Sequence, residues 1–290
     1  MVDEMREELH PTAADYNDNA TRLIESCLLH VATVLGDLMR DSVVVVGGLV
    51  PRLLISRELL PPGAEVHPGT MDLDLGLRLE LLANERYREI SARLREAGFT
   101  MDENEAGNPT RQRWCRASQA LGLARVDFLM EPSSADATPG GTQHLESDFA
   151  AFVTPGVEMA FADRVSVRLN GRTLDDEVAQ RDVWVCGPAA FVALKALAFA
   201  GRGYPKDAYD LFYVLRNYGS GSRDVASRFG LVGSNEKAIE ALGILERDFL
   251  DHEGLGPVRA VSFVAGIPDE ALRADVAAFV REFLHAVRNG

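Results

Sequence analysis

The chain has 290 residues, enough for one large domain or two ordinary ones, and its 47% hydrophobic content supplies a substantial core. A charged fraction of 26%, with Gly and Pro in normal proportion, excludes a disordered or collagen-like chain. The net charge of −14 argues against broad, non-specific nucleic-acid binding, which depends on Lys and Arg neutralising phosphates. It leaves room for a local basic groove, for which "RQRWCR" (Arg111 to Arg116) and "GRGYPKD" (Gly201 to Asp207) are the candidates.

The amino terminus is acidic and lacks the basic-then-apolar layout of a signal peptide, and no apolar run reaches the length of a membrane span. A cytoplasmic protein with no membrane contact is expected. Cys27, Cys115 and Cys186 are odd in number and far apart, so they read as reduced structural thiols. The six histidines show no zinc-ligand spacing.

Between Ala13 and Met39, Leu23, Ile24, Cys27, Leu28, Val31, Val34, Leu35 and Leu38 recur at three- and four-residue steps, which predicts an amphipathic helix capped at Thr12 or Thr21. Ser42 to Val46 reads as a buried strand ended by Gly47-Gly48. "LVPRLLISREL" resumes as a short helix with Pro51 in its first turn, and "PPGAEVHPG" is a loop. Thr70 to Arg78 is a second strand, with Asp72 and Asp74 on one face and Met71, Leu73, Leu75 and Leu77 on the other. "ELLANERYREISARLREAG" is a helix stopped by Gly98. Strands follow at Phe99 to Glu103, Arg111 to Ala117, Leu123 to Met130, Phe161 to Leu169 and Val183 to Cys186. From Gly187-Pro188 onward the chain reads as helical: "AAFVALKALAFAGR", "KDAYDLFYVLRNYG", Asn235 to Phe249 and Asp269 to Val287. This predicts an α/β (α+β) catalytic domain over 1–187, which includes the first helix, and a helical domain over 188–290.

Three features carry chemistry. Gly47-Gly48 between strand and helix lets backbone N–H groups approach a ligand with no Cβ in the way, at a helix end that favours phosphate. Glycine also serves plain tight turns, so alone the pair says little. Asp72 and Asp74 project from one face about 7 Å apart along the strand. They repel each other unless a cation lies between them, and hard carboxylate oxygens suit Mg²⁺; a solvated strand face is the ordinary alternative. Asp127 sits among the apolar residues Val126, Phe128 and Leu129. On an adjacent strand it gives a third carboxylate, enough for one or two Mg²⁺ ions flanking a transferring phosphate.

Glycine pair, Asp-x-Asp and third-strand acid together resemble the nucleotidyltransferase superfamily. The spacer between Gly48 and Asp72 is longer than common, which an inserted loop at "ELLPPGAEVHPG" accommodates. The likeness is closer to the AbiEii-type toxins of type IV toxin–antitoxin systems, which carry a Gly-Gly stretch, a Ser or Thr two before Asp-x-Asp, a helical lysine and a later Lys/Arg-Asp-x-x-Asp helix. Here these are Gly47-Gly48, Thr70 before Asp72 and Asp74, Lys195 in "ALKALA", and Lys206, Asp207 and Asp210 in "KDAYDLFYVL". The resemblance runs from roughly residue 43 to 217. One departure is that Leu49, not a hydroxyl residue, follows Gly48; Arg52 is the candidate replacement contact.

The resemblance implies a nucleotidyltransferase fold, a short mixed sheet with flanking helices, completed by the helical domain. It implies transfer of an NMP from an NTP to an acceptor hydroxyl, with Asp72, Asp74 and Asp127 at Mg²⁺. Asp127 serves alternatively as general base. Gly47, Gly48, Thr70 and Arg52 would meet the nucleotide, Lys195 its phosphates, and Asp210 would orient Lys195 or help activate the acceptor. Asp207 reads first as a first-turn acid complementing its helix dipole. The implied acceptor is RNA, at the 3′ end of tRNA, and the implied partner an antitoxin protein. Two rivals stand beside it. A cationic small acceptor such as an aminoglycoside suits the acidic balance, and a catalytically silent nucleotide-binding module is disfavoured by the intact acids.

Overall fold

The computed structural model describes residues 11–61, 64–80, 86–104, 106–118, 120–134, 136–264 and 268–290. Among them, α1 (Asp18–Leu35) opens with Asn17 as its cap, whose side chain accepts from the Ala20 N–H at 2.8 Å, so neither Thr12 nor Thr21 caps it. The predicted single helix breaks at Gly36, whose φ of 56° is open to glycine, and continues as α2 (Asp37–Ser42). Strand β1 (Val43–Val46) is fully buried and turns through a 3₁₀ segment, Gly47–Leu49, into α3 (Val50–Leu54). β2 covers Leu73–Leu77 only; Thr70 and Asp72, assigned from sequence to this strand, lie in the turn before it.

α4 (Tyr87–Glu96) is the described part of the next predicted helix, whose residues 81–85 lie outside the described ones. Then follow β3 (Thr100–Glu103), β4 (Pro109–Ser118), β5 (Gly122–Met130), and a hairpin that the periodicity did not reveal, β6 (Thr142–Glu146) and β7 (Phe149–Val153). Phe161 lies in a helical turn, α5 (Met159–Ala162), and not in the strand predicted there. A long hairpin, β8 (Arg164–Arg172) and β9 (Val178–Cys186), completes the strands.

These strands form one mixed sheet in the order β3-β4-β5-β2-β1-β9-β8, with β7 and β6 attached along β5. The β2–β5, β1–β9 and β5–β7 pairs are parallel and the rest antiparallel. At nine strands it is larger than the short sheet expected.

The helical half contains α6 (Pro188–Arg202), α7 (Pro205–Asn217), α8 (Ser222–Ser227), α9 (Glu236–Phe249), α10 (Leu255–Val264) and α11 (Glu270–Asn289). Of these, α8 and α10 were not legible in the periodicity. One hydrophobic cluster joins both halves: Ile24, Val45, Leu75 and Phe128 belong to it together with Phe191, Leu211, Phe249 and Phe283. No helix among the described residues is long and apolar enough to cross a membrane.

Asp163 fixes the junction between the halves. Its carboxylate is fully buried and accepts from the Ala189 and Ala190 N–H groups at 2.9 and 3.0 Å, capping α6, and it pairs with Arg228 at 2.6 Å. A Cβ at Gly187 would fall 2.1 Å from this carboxylate, so the approach requires glycine there. Asp163→Ala leaves Arg228 unpaired and the first turn of α6 uncapped. We expect a loss on the order of 3–5 kcal/mol, the scale of breaking a buried ion pair. Equilibrium denaturation measures it, and an unchanged midpoint would refute the role.

Candidate active site

The sheet's hydrogen-bond register places the acids. Val46 on β1 is opposite Asp74 on β2, Asp74 is beside Asp127 on β5, and Asp127 is opposite Arg113 on β4. Residues directly across neighbouring strands share a face, so Asp74, Asp127 and Arg113 stand in one row, with Asp72 in the turn that leads into β2.

Gly47 ends β1 beside this row with φ of 71°, and a Cβ there would lie 1.8 Å from Asp74 Oδ2. Any side chain would therefore displace the carboxylate. A Cβ on Gly48 would meet Thr70 Oγ1 at 2.8 Å and Lys206 Nζ at 3.3 Å. The glycine pair thus serves close approach, bringing the β1 turn against Asp74, Thr70 and Lys206. The Thr70 hydroxyl donates to the Asp72 carbonyl at 3.1 Å, so it shapes the turn that holds Asp72.

The three carboxylates are not equivalent. Burial, followed by the charges of Asp127 and Asp72, raises the Asp74 pKa to about 7. Burial also raises that of Asp72, against the opposing pull of Arg113. Asp127 instead has its own counter-ion: Arg113 Nε reaches Oδ1 at 2.7 Å and Nη2 reaches Oδ2 at 2.6 Å, a two-pronged pair. The Arg113 Nη2 atom is 4.0 Å from Asp72 Oδ2. Among the described residues, no group of three His, Cys, Asp or Glu is arranged to hold a metal. Asp127 is thus directly paired, Asp72 has Arg113 only at the edge of ion-pair range, and no cation hydrogen-bonds to Asp74 among the described residues.

A second charged cluster lies on α6 and α7. Lys195 Nζ is held between Asp207 Oδ1 at 2.9 Å and Asp210 Oδ2 at 2.7 Å. Arg202 grips Asp207 with Nε at 2.6 Å and Nη2 at 2.8 Å. Lys206 Nζ sits 2.8 and 2.9 Å from the two Asp210 oxygens. Burial alone would lower the Lys195 pKa, but Asp207 and Asp210 outweigh it and raise it. Burial lowers that of Lys206, with Asp210 opposing. Burial pushes Asp210 up, but Lys195, Lys206 and His67 together hold it well below the ordinary carboxylate range.

His67, which the sequence did not single out, joins the two clusters. Gly69 N–H donates to its Nδ1 at 3.1 Å, so the proton is on Nε2, which donates to Asp210 Oδ1 at 2.9 Å. Burial lowers the His67 pKa to about 4, although Asp210 opposes it, and the ring is neutral. Arg202, Lys206 and Arg113 come from the two basic segments noted in the sequence but had no roles assigned there. Lys195, expected from the resemblance to bind the phosphates, is 10% exposed and doubly paired, whereas Arg202 is 52% exposed. Asp207 is an ion-pair partner and not merely a first-turn acid. Arg52 donates to the His67 carbonyl at 3.2 Å and pairs with Asp18 and Glu25.

The protein is a nucleotidyltransferase. The chain belongs to the family described as nucleotidyl transferase AbiEii toxin of type IV toxin–antitoxin systems, whose model matches residues 70–289. That span contains Asp72, Asp74, Asp127, Lys195 and Asp210 but begins after Gly47-Gly48. Among solved structures, the chain is similar to an antigenic nucleotidyltransferase-like protein from Paracoccidioides brasiliensis. The two share 14% identity over 79% of this chain and 94% of that one, with a TM-score of 0.41. No curated protein matches.

The raised Asp74 pKa sets a pH dependence in metal-free protein. An unfolded aspartate titrates near ~3.9, so the folded state holds the extra proton between there and about 7. Stability therefore falls as pH rises through this window and stays low above it. Asp74→Asn removes the penalty. In chelator we expect this variant to melt above the wild type at pH 8, by on the order of 5 °C, with the gap closing at pH 4. An equal gap at both pH values would show that Asp74 is not the source.

Proposed function

We propose that the protein transfers an NMP from an NTP to an acceptor hydroxyl, with Asp72 and Asp74 holding Mg²⁺. The observation that carries this reading is the incompletely compensated Asp74 carboxylate packed against Gly47, with Asp72 in the turn that leads into the same strand. The acceptor oxygen forms a bond to the α-phosphorus, the bond from that phosphorus to the bridging oxygen breaks, and pyrophosphate leaves. The hydroxyl proton passes to a carboxylate of the site. When bound, Mg²⁺ supplies charge neutralisation and polarisation of the phosphoryl group. The chain itself contributes close backbone approach at Gly47 and Gly48, and positive charge from Lys206 and Arg202. Lys195 adds to that charge while Asp207 and Asp210 hold it in place.

By membership of its family the protein is read as a toxin, with an antitoxin as its protein partner and an RNA end, the 3′ end of tRNA, as acceptor. Support for a polyanionic acceptor comes from a groove of about 1430 Å³ between α1, α3, the β4–β5 turn and the β8–β9 hairpin. Its charged lining is Arg22, Arg52, Arg57, Arg116, Arg168 and Arg172 with Glu25, Glu58, Asp175 and Asp176, and Arg52, Arg116, Arg168 and Arg172 are engaged in ion pairs. The excess of arginines over acids in this lining favours a phosphate-bearing acceptor. The acidic balance itself favours the second reading, a cationic small acceptor such as an aminoglycoside.

Labelled NTPs incubated with total tRNA or with aminoglycosides separate the two readings; label in the antibiotic and not in tRNA would sink the RNA reading. In the same assay, Asp72→Ala is expected to abolish incorporation, by about 10³-fold or more, while leaving the far-UV spectrum and melting curve of a folded protein. Unchanged activity would refute the metal assignment. For the groove, replacing Arg22 and Arg57 by Glu is expected to weaken tRNA binding at least tenfold while NTP binding stays within twofold. A variant that binds tRNA like the wild type would remove the groove from the acceptor path.

A further inference from the structure

We propose that Asp127 serves this site as the anion that positions Arg113, not as a metal ligand, and that the Arg113 guanidinium binds a substrate phosphate beside the Asp72–Asp74 pair. The inference rests on the metal-dependent reading above and goes beyond it by assigning the third acid a different task.

Geometry separates the two residues. Asp127 is nearly closed to solvent, its side chain 9% exposed, and both of its oxygens are taken by the Arg113 fork at 2.7 and 2.6 Å. An arginine stays charged at any working pH. A divalent cation on Asp127 would lie at about 2.0–2.1 Å from one of those oxygens, hard against a fixed positive charge. Ligation would require Arg113 to leave, and the register that places Arg113 opposite Asp127 belongs to a continuous β4–β5 ladder from Arg113–Asp127 to Ser118–Gly122. A sheet row is a poor hinge.

Arg113, by contrast, remains accessible, with its side chain 34% exposed. The fork consumes one N–H on Nε and one on Nη2, and a guanidinium carries five. Nη1 has no hydrogen-bond partner among the described residues, and Nη2 also faces Asp72 Oδ2 at 4.0 Å. The remaining Nη2 donor is therefore within reach of the Asp72 side of the site. A planar guanidinium fixed through one edge and open along another is suited to a phosphate oxygen. The phosphate is that of the NTP or of the acceptor's backbone, which share this chemistry.

The test uses the full chain. Mn²⁺ alone is titrated into the wild type, Asp74→Asn, Asp127→Asn and Arg113→Lys by calorimetry. A non-hydrolysable α,β-methylene NTP and total tRNA are then titrated into the same proteins, with melting curves to show that each is folded. Asp127→Asn should retain Mn²⁺ affinity within about threefold, whereas Asp74→Asn should lose tenfold or more. Arg113→Lys keeps the charge without the fork, and should bind Mn²⁺ like the wild type.

If the phosphate is the nucleotide's, Arg113→Lys binds the NTP analogue at least tenfold more weakly. If it is the acceptor's, the loss falls on tRNA instead. A tenfold loss of Mn²⁺ affinity in Asp127→Asn would overturn the proposal, as would unchanged binding of both ligands by Arg113→Lys. A wild type that takes up no Mn²⁺ would overturn the metal reading, and the two ligand titrations would still decide the role of Arg113.

Discussion

The site depends on the missing side chain at Gly47. Strand β1 must end close enough to Asp74 that a Cβ would sit 1.8 Å from the carboxylate, so only glycine permits both the turn and the acid. The left-handed φ of 71° makes the same demand on the backbone. Asp74 is thereby packed, part-buried, against main chain. Desolvation, followed by the charges of Asp127 and Asp72 and with no directly bonded cation to offset them, raises its pKa to about 7. The glycine pair is thus coupled to the carboxylate electrostatics as well as to turn geometry.

The helical half solves the opposite problem. Lys195, Lys206 and Arg202 are packed around Asp207 and Asp210, three cations to two anions, with a neutral His67 completing the shell. Buried like charges of this density are tolerable only because every carboxylate oxygen accepts. Asp210 is the hub: it takes hydrogen bonds from Lys206 and His67 and pairs with Lys195. His67 also accepts from the Gly69 N–H, and its own N–H donates to the Tyr213 hydroxyl at 3.1 Å. The segment leading into Asp72 is therefore bound to α7, and the two walls of the site are linked by specific bonds as well as by apolar packing.

What the sequence made legible follows from how local each signal is. Asp72, Asp74 and the glycine pair announce themselves because acids in an apolar strand and glycines at its end are anomalies within a few residues. Lys206 and Asp210 are four apart on one helix, so their pairing is also readable. Arg113 is different: its partner is fourteen residues away, and only the β4–β5 register puts the two opposite each other. Arg111, Arg113 and Arg116 look alike in "RQRWCR", and nothing local tells which one meets Asp127. The β6–β7 hairpin escaped for a related reason. Its β7 strand, Phe149–Val153, is a short apolar run without alternation, which fits buried strand or helix equally. The division at Gly187 was read from a real change of secondary structure, yet the apolar residues on its two sides join one cluster, a property of packing that no linear pattern carries.

The contrast between Asp74 and Asp127 shows how little identity of side chain fixes identity of role. They are adjacent in one row, on parallel neighbouring strands, Asp127 buried and Asp74 part-buried. Asp74 has Val46 on its other side and meets no cation in the sheet; Asp127 has Arg113. One position of β4 register thus decides which carboxylate is left with an unmet charge. Had β4 slipped by one residue, Arg113 would have crossed to the other face of the sheet and Asp127 would share the predicament of Asp74. The spread of charge along the row, from an unmet acid to a satisfied one and then to a half-exposed guanidinium, gives the site an anionic end and a cationic end within a few ångströms.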